Sequence, residues 1–234
     1  MLYLIGLGLN DENDISEKAK HAIERCEKVY CEFYTNVWNG SLASLERIAG
    51  KSVTELKREK VESDFLINEA KRADVALLIP GDPLTATTHI ELMLEARKQG
   101  VGVQIVHASS IYTAIAKTGL QIYKFGRTTT LPRLSTNFNP ASPIDVITEN
   151  KKAGLHTLVL LDIGMTAKEA TGLLSVHFAC KAVACCRLGG SDEIIKYAEL
   201  DDLSRDDSID KAPAVIIIPG ELHFKEEEAL NLWI

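Results

Sequence analysis

One stretch in the first half of the chain limits its possible folds more than any other. The apolar run from Val75 to Ile79 is followed at once by two prolines around a glycine, from Pro80 to Pro83. Such a run predicts a β-strand buried on both faces, and proline ends it because proline lacks the N–H group that a sheet needs. Ile90, Leu94 and Gly100 then predict a helix and its end. A strand, a turn and a helix in this order indicate an α/β protein.

Two polar turns are predicted at one edge of this sheet. Asp82 and Thr85 follow the first strand, and Ser110 and Ile111 follow another, from Val103 to Val106. Crossover connections of this length make the strands parallel, so their carboxyl ends lie along the same edge. Open α/β sheets bind ligands at that edge, and we therefore predict a ligand site there. A purely structural role stays open as the alternative, because every parallel sheet contains such turns.

Strand and helix patterns alternate along the rest of the chain as well. A candidate linker between Thr118 and Gly126 separates two groups of them, and we predict one α/β domain at residues 1–118 and another at residues 119–234. The further predicted strands are Leu2–Leu7, Val29–Phe33, Val53–Leu56, Arg127–Leu131, His156–Asp162, Val183–Arg187, Ile194–Tyr197 and Ala214–Ile218.

Three helix starts carry capping residues. Asp14 is predicted to cap the first helix, with Glu17 three residues later completing a capping box. Ser142 is predicted to cap a helix whose first position holds Pro143. The run from Thr166 to Glu169 has a threonine and a glutamate at capping-box spacing, so a helix is predicted to begin there too.

A segment similar to the end of the Val75 strand occurs late in the chain. Leu77–Asp82 and Ile216–Glu221 both consist of three apolar residues, a proline, a glycine and a carboxylate. The similarity suggests two α/β halves of one design, although this is also a common way to end a strand.

A loop from Tyr34 to Gly40 places two large aromatic side chains, Tyr34 and Trp38, among polar ones. We predict that this loop is a surface or interface segment and a candidate for contact with a partner. Lys124 and Arg127 are likewise candidate contacts for a substrate carboxylate, with a solvated surface as the alternative.

Charge and hydropathy argue against two kinds of partner. The formal net charge of −7 over 234 residues, with no run of lysine or arginine, argues against nucleic acid, because phosphate binding needs a basic face. The apolar runs are far shorter than the roughly 20 residues that a membrane-spanning helix needs, so no membrane partner is expected.

Cysteine and histidine spacings predict no metal site. The five cysteines show neither a C-x-x-C pair nor the spacing of a zinc site, and His89 and Glu91 lack the i, i+4 spacing of a metal-binding helix. An odd cysteine count fits a reducing compartment and favours a cytoplasmic protein. Cys185 and Cys186 are adjacent on a predicted strand, so we expect two buried thiols on opposite faces.

Eight stretches, spread in order over nearly the whole chain, resemble the diphthine synthase family. This family belongs to the tetrapyrrole methylase-like, class III methyltransferases that depend on S-adenosylmethionine. The combination of the third and fifth stretches is the most specific. The stretches are Ile5–Leu9, Glu32–Thr35, Pro80–His89, His107–Tyr112, Gly119–Gly126, Gly154–Thr157, Leu161–Ile163 and Pro219–His223.

The resemblance implies an architecture and an activity. It implies two α/β domains, an amino-terminal one with a mostly parallel sheet and a carboxyl-terminal one with a mixed sheet, and a methyl donor in the cleft between them. It also implies a homodimer that methylates elongation factor 2. The acceptor would be the α-amino group of the 3-amino-3-carboxypropyl chain on a modified histidine, the product diphthine, and the spent donor S-adenosylhomocysteine.

Carried over position by position, the resemblance implies contacts with S-adenosylmethionine in both halves of the chain. We assign no catalytic base, because methyl transfer from a sulfonium mainly requires that donor and acceptor be held in line. Asp82 is a candidate stabiliser of the positive charge, with a cap on the following helix or a bond to the amino or ribose groups of the donor as the alternative. The implied contacts are Leu9, Asp82, Thr85, Ser110, Ile111, Leu161, Leu188 and His223.

Two other functions stay open. One is a methyltransferase of the same superfamily that acts on a tetrapyrrole or on RNA, although the acidic balance argues against RNA. The other is a nucleoside-binding scaffold without turnover that holds a partner through Tyr34 and Trp38.

Overall fold

The chain forms two compact units, Met1–Ile111 and Tyr112–Ile234. A computed structural model describes residues 1–135 and 138–234. We call the two units the first and the second unit. The domain boundary predicted after residue 118 and the donor site expected between the domains stay predictions.

The first unit contains one parallel sheet. Its strand order is β3-β2-β4-β1-β5, and Leu4 on β1 lies opposite Leu77 on β4 and Ile105 on β5. The predicted strands are confirmed, and β1, β2 and β3 end one or two residues earlier than predicted. The strands are β1 (Leu2–Gly6), β2 (Lys28–Cys31), β3 (Val53–Glu55), β4 (Val75–Ile79) and β5 (Val103–Val106).

Helices cover both faces of this sheet. Ile5 packs with α1 and α2 on one face, whereas Leu4 packs with α4 and α5 on the other. Burial on both faces explains why β1 and β4 are apolar throughout. The helices are α1 (Glu17–Arg25), α2 (Leu42–Ala49), α3 (Arg58–Val61), α4 (Phe65–Ala70) and α5 (His89–Lys98), with a 3₁₀ helix at Glu12–Asp14. A short helix, α6 (Ile111–Ala114), begins at the last residue of the first unit and continues into the second.

Helix α1 begins differently from the prediction. Asp14 belongs to the preceding 3₁₀ turn, where its carboxylate accepts a hydrogen bond from the backbone N–H of Asn10 at 2.7 Å. Ser16 caps α1 instead, because its hydroxyl accepts from the N–H of Ala19 at 3.1 Å. The predicted Asp14–Glu17 capping box is therefore wrong, since a local turn already uses the Asp14 carboxylate.

The aromatic loop is also more buried than predicted. Trp38 is only 9% exposed, and its ring stacks on that of Phe33 with centroids 5.7 Å apart. Tyr34 is half-buried, with its hydroxyl enclosed and Arg58 lying 5.6 Å from its ring centroid. The prediction of a surface segment is wrong for Trp38, because the apolar area of an indole ring favours burial in the core.

The second unit contains a mixed sheet in the order β6-β7-β10-β8-β9. β6 and β7 are parallel, and every other neighbouring pair is antiparallel. The predicted fold class, a parallel sheet followed by a mixed one, is confirmed. The strands are β6 (Thr129–Leu131), β7 (Thr157–Leu161), β8 (Lys181–Cys186), β9 (Ile194–Glu199) and β10 (Ala214–Ile218).

The sequence similarity between the ends of β4 and β10 is not accompanied by a similar topology. β4 is parallel to both its neighbours, whereas β10 is antiparallel to both of its own. The carboxyl end of β10 therefore lies at the sheet edge opposite the carboxyl ends of β7 and β8.

Helices of the second unit begin partly as predicted. The capping box from Thr166 to Glu169 is confirmed, with both reciprocal hydrogen bonds formed. Ser142, by contrast, is the first residue of its helix rather than the cap, and Ala141 precedes it without a side-chain cap. The helices are α7 (Ser142–Lys152), α8 (Ala167–Ser175), α9 (Leu200–Leu203) and α10 (Phe224–Leu230), with 3₁₀ helices at Ile115–Thr118, Ile122–Lys124, Asp207–Ile209 and Asn231–Trp233.

The adjacent cysteines of β8 are buried, as predicted. Cys185 and Cys186 are 1% and 0% exposed, and burial raises the pKa of both thiols, to about 11 for Cys186. Among the described residues, no helix is long and apolar enough to cross a membrane.

Candidate functional site

The parallel sheet has a topological switch point between β1 and β4. The chain leaves β1 through α1 towards β2 and leaves β4 through α5 towards β5, so the two connections run in opposite directions across the sheet. α1 and α5 also pack on opposite faces. This arrangement opens a crevice at the carboxyl ends of the two strands, which is where open α/β sheets bind ligands.

Two glycine turns form the floor of this crevice. Gly8 and Gly81 pair with each other, and the N–H of Gly81 donates to the carbonyl of Gly8 at 2.8 Å. Both have positive φ, +83° and +71°, a conformation that favours glycine. A Cβ at Gly6 would lie 2.6 Å from the carbonyl oxygen of Gly81, whereas a Cβ at Gly81 would meet nothing within 4 Å. The turns are thus tightly packed against each other, and one side of Gly81 is open.

Asp82 joins the loop after β4 to the loop after β5. One carboxylate oxygen accepts from the N–H of Leu84 and the hydroxyl of Thr85, both at 3.1 Å. The other accepts from the N–H of Ala108 at 3.2 Å and contacts Nδ1 of His107 at 2.7 Å. Burial raises the pKa of Asp82, but these hydrogen bonds outweigh it and hold the pKa below its ordinary value. Asp82 is therefore an ionised carboxylate at neutral pH.

His107 is a residue of this site that the sequence did not single out. Its side chain is 68% exposed, although it contacts the nearly buried Asp82. An ionised carboxylate only accepts hydrogen bonds, so Nδ1 of His107 carries the proton and Nε2 is the free position of the neutral ring. The position of His107 directly after β5, at the edge that holds Asp82, was the available signal.

The structure brings the five predicted contacts of the first unit to this one edge. Leu9 directly follows the Gly8 turn and is half-buried. Thr85 bonds to Asp82, while Ser110, which is buried, and Ile111 follow β5. The shared edge predicted from the parallel crossovers is confirmed.

The three predicted contacts of the second unit divide between two edges. Leu161 ends β7 and Leu188 follows β8, and the amino end of β10 lies between these strand ends. His223 follows the carboxyl end of β10, which lies beside Thr157 at the start of β7. The two edges are separated by the length of β10, roughly 14 Å at about 3.4 Å per residue. The structure therefore places Leu161 near Leu188 but does not bring His223 to them.

A buried polar network surrounds Glu226 in the second unit. One oxygen of Glu226 accepts from the N–H of Gln121 at 2.9 Å and from Nε2 of His156 at 3.0 Å. The other accepts from Nζ of Lys124 at 2.6 Å and from the N–H of His223 at 2.8 Å. Burial raises the pKa of Glu226, but these four donors outweigh it and lower the pKa to about 2. The sequence did not point to this network.

This network changes the interpretation of Lys124 and His223. Lys124 is an ion-pair partner of Glu226, and Arg127 pairs with Glu149 at 3.2 Å on the surface. His223 caps α10, with its Nδ1 accepting from the N–H of Lys225 at 3.3 Å. Its Nε2 consequently carries the proton in the neutral ring.

Comparisons with known proteins agree with this geometry. The family model of the Tetrapyrrole (Corrin/Porphyrin) Methylases matches residues 1–204. The chain is 42% identical to the diphthine synthase of Methanocaldococcus jannaschii, over 99% of this chain and 98% of that relative.

The chain belongs to the diphthine synthase family.

Further members of the diphthine synthase family agree with this assignment. The diphthine synthase of Methanothermobacter thermautotrophicus is 43% identical over 98% of this chain and 94% of its own. A crystal structure of a diphthine synthase has a TM-score of 0.92 and 37% identity, covering 99% of this chain and 95% of that chain. The family resemblance seen in the sequence is confirmed over nearly the full length.

The family motifs serve two different structural purposes in this chain. Pro80–His89 and His107–Tyr112 supply the edge around Asp82. Gly119–Gly126, Gly154–Thr157 and Pro219–His223 converge instead on the buried Glu226 network, through Lys124, His156 and the backbone of His223.

A separate cleft of about 570 Å³ lies on the α3–α5 face of the first unit, lined by Tyr34, Ile67, His89 and Leu92 among others. His89 is 2% exposed, and neither ring nitrogen forms a hydrogen bond of good geometry. Burial lowers the pKa of His89 to about 4, against a raising effect of the Pro83 carbonyl. None of the eight predicted donor contacts, all of them among the described residues, lines this cleft. The described residues also contain no cluster of three or more side chains suited to a metal ion.

Proposed function

We propose that this chain is an S-adenosylmethionine-dependent methyltransferase that forms diphthine on elongation factor 2. The acceptor is the α-amino group of the 3-amino-3-carboxypropyl chain on a modified histidine, and S-adenosylhomocysteine is released. The identity of 42% over 99% of the chain to a relative named diphthine synthase carries the proposal.

We propose that the donor binds at the edge around the glycine turns. The open side of Gly81 leaves room for a ligand against the backbone, and the ionised Asp82 lies next to it. The five predicted contacts of the first unit, Leu9, Asp82, Thr85, Ser110 and Ile111, would hold the donor there. From the second unit, we propose Leu161, Leu188 and, at its other edge, His223.

S-adenosylmethionine supplies a methyl group on a positively charged sulfur. Asp82 stays ionised, and its negative charge favours the positive charge that passes from sulfur to nitrogen. Its hydrogen bonds to Leu84, Thr85 and Ala108 also fix both loops, so the edge is preorganised to hold two reactants in line.

The proposal is tested with donor labelled in its methyl group. We expect label to transfer to elongation factor 2 that already carries the aminocarboxypropyl group and not to the unmodified factor. Equal labelling of both forms, or of neither, would contradict the proposal. A porphyrinoid acceptor belongs in the same assay, because the matching family model describes tetrapyrrole methylases.

The donor site is tested by calorimetry on the variant Asp82→Ala. Removal of the carboxylate leaves Ala108 and Leu84 without their acceptor, and we expect at least tenfold weaker donor binding. Asp202→Ala, an exposed position on α9, is the control and should bind donor as the wild type does. Unchanged affinity in Asp82→Ala would refute this placement.

We further propose a homodimer that acts in the cytoplasm. Light scattering should give twice the chain mass of 25.7 kDa, whereas a mass of one chain would contradict the dimer.

A further inference from the structure

The acceptor amine must lose a proton before it can be methylated, and the proposed donor contacts do not remove that proton. Only the neutral amine has the lone pair that attacks carbon, and an α-amino group with a pKa of about 8 is mostly protonated at pH 7. Any further transfer to the same nitrogen requires that the new ammonium first lose a proton. A group that accepts protons near neutral pH at the acceptor side would accelerate each round.

His107 lies at the proposed donor edge and has a carboxylate partner, which suits it to this task. It directly follows β5, at the same edge as Asp82 and Ser110. The Asp82 carboxylate holds Nδ1 at 2.7 Å, while the side chain remains 68% exposed. A carboxylate that fixes one ring nitrogen orients the other and stabilises the imidazolium once it forms.

The other histidines of the first unit lack this combination. His89 is 2% exposed and enclosed on the α3–α5 face. His21 lies on the exposed side of α1. Asp82 is the ionisable group paired with His107 among the described residues.

We propose that His107 is the general base of methyl transfer and that Asp82 is its positioning residue. This inference rests on the function proposed above. Nε2 of His107 takes a proton from the acceptor ammonium. The freed lone pair forms the N–C bond while the C–S bond breaks, and its electron pair stays on sulfur, which changes from sulfonium to thioether. The imidazolium then passes its proton to water.

The test compares His107→Asn with the wild-type chain over a range of pH. Asparagine keeps an N–H group that can reach Asp82 but takes up no proton near neutral pH. We expect donor affinity within threefold of the wild type and kcat lower by 10²–10⁴ at pH 7. The deficit should shrink towards pH 9, because the acceptor amine then loses its proton unaided. His21→Asn is the matched control and should have the wild-type profile.

Chemical rescue separates a base from a structural residue. Added imidazole should restore part of the activity of His107→Ala, in proportion to its unprotonated fraction. An equal loss at every pH without rescue, or a wild-type rate in His107→Asn, would overturn the role of His107 while leaving the proposed function intact. A wild-type chain that transfers no methyl group to the modified factor would refute the proposed function itself, and this inference with it.

Discussion

Each unit contains a hydrogen-bonded carboxylate–histidine pair, and these two pairs differ most in their access to solvent. Asp82 and His107 of the first unit lie 2.7 Å apart, with the histidine 68% exposed. Glu226 and His156 of the second unit lie 3.0 Å apart, and both side chains are 0% exposed. The chemical groups are alike, so the surroundings decide what each pair can do.

The two pairs differ in how many ring nitrogens of the histidine are hydrogen-bonded within the protein. In the second unit, Nδ1 of His156 accepts from the N–H of Gly220 at 2.9 Å and Nε2 donates to Glu226, so both ring nitrogens are used. In the first unit, Asp82 engages only Nδ1 of His107. A pair whose histidine has both ring nitrogens hydrogen-bonded within the protein stabilises the fold. A pair whose histidine keeps an exposed nitrogen can exchange a proton with a substrate.

The largest expected effect is on stability, from Glu226→Ala. The change leaves Lys124 and His156 without their buried partner, which typically costs about 3–5 kcal/mol of the free energy of unfolding. Urea unfolding measures it, with the exposed neighbour Glu227→Ala as a control that should change stability by less than about 0.5 kcal/mol. Equal stabilities of the two variants would show that the buried pair contributes nothing.

The second prediction concerns the acid stability of the same pair. The folded pKa of Glu226 is about 2, below its ordinary value of 4.5. Its stabilisation is therefore present above pH 4.5 and is lost as the pH falls towards 2. In Glu226→Gln we expect the dependence of unfolding free energy on pH to be shallower in this window by about 1.4 kcal/mol per pH unit, the effect of one proton. Identical slopes would mean that Glu226 is not the group that titrates.

The third prediction concerns the floor of the first site. A Cβ at Gly6 would lie 2.6 Å from the Gly81 carbonyl oxygen and 2.7 Å from the Ala108 Cβ. We expect Gly6→Ala to cost about 1–3 kcal/mol of stability and to weaken donor binding. Gly102→Ala, where the nearest atom is 3.5 Å away in the Met1 side chain, should change neither quantity. Normal donor affinity in Gly6→Ala would show that the glycine turns are not part of the donor site.

The smallest effect is expected from Arg127→Ala. Arg127 and Glu149 are 72% and 64% exposed, and surface ion pairs typically contribute less than about 1 kcal/mol. Unfolding midpoint and methyl transfer should both stay close to the wild type. A large loss of methyl transfer without a loss of stability would support Arg127 as a contact for the substrate.

Local patterns predicted most of the secondary structure. The apolar runs of β1, β4 and β10 and the Thr166 capping box depend on neighbouring residues, and each was found where it was expected. The prediction for Asp14 was wrong because a neighbouring turn uses its carboxylate to accept from the N–H of Asn10. The prediction for Trp38 was wrong because its ring joins the core around Leu45.

The candidate site was predictable only in part, for a related reason. Asp82 and Ser110 could be placed together because crossover length implies parallel strands and hence a shared edge. The separation of His223 from Leu161 follows from the antiparallel direction of β10, which no local pattern of the chain expresses. Glu226 was missed because its partners, Gln121 and His156, lie 105 and 70 residues away.

The sequence by itself determined the family, the order of strands and helices along the chain and the edge at which the first unit presents its polar turns. These properties follow from motifs and from the spacing of nearby residues. Only the tertiary structure decided which carboxylate–histidine pair is enclosed and which is exposed. Burial and hydrogen-bond partners depend on strand direction and on contacts between distant segments, so Glu226–His156 became part of the core and Asp82–His107 a candidate for chemistry.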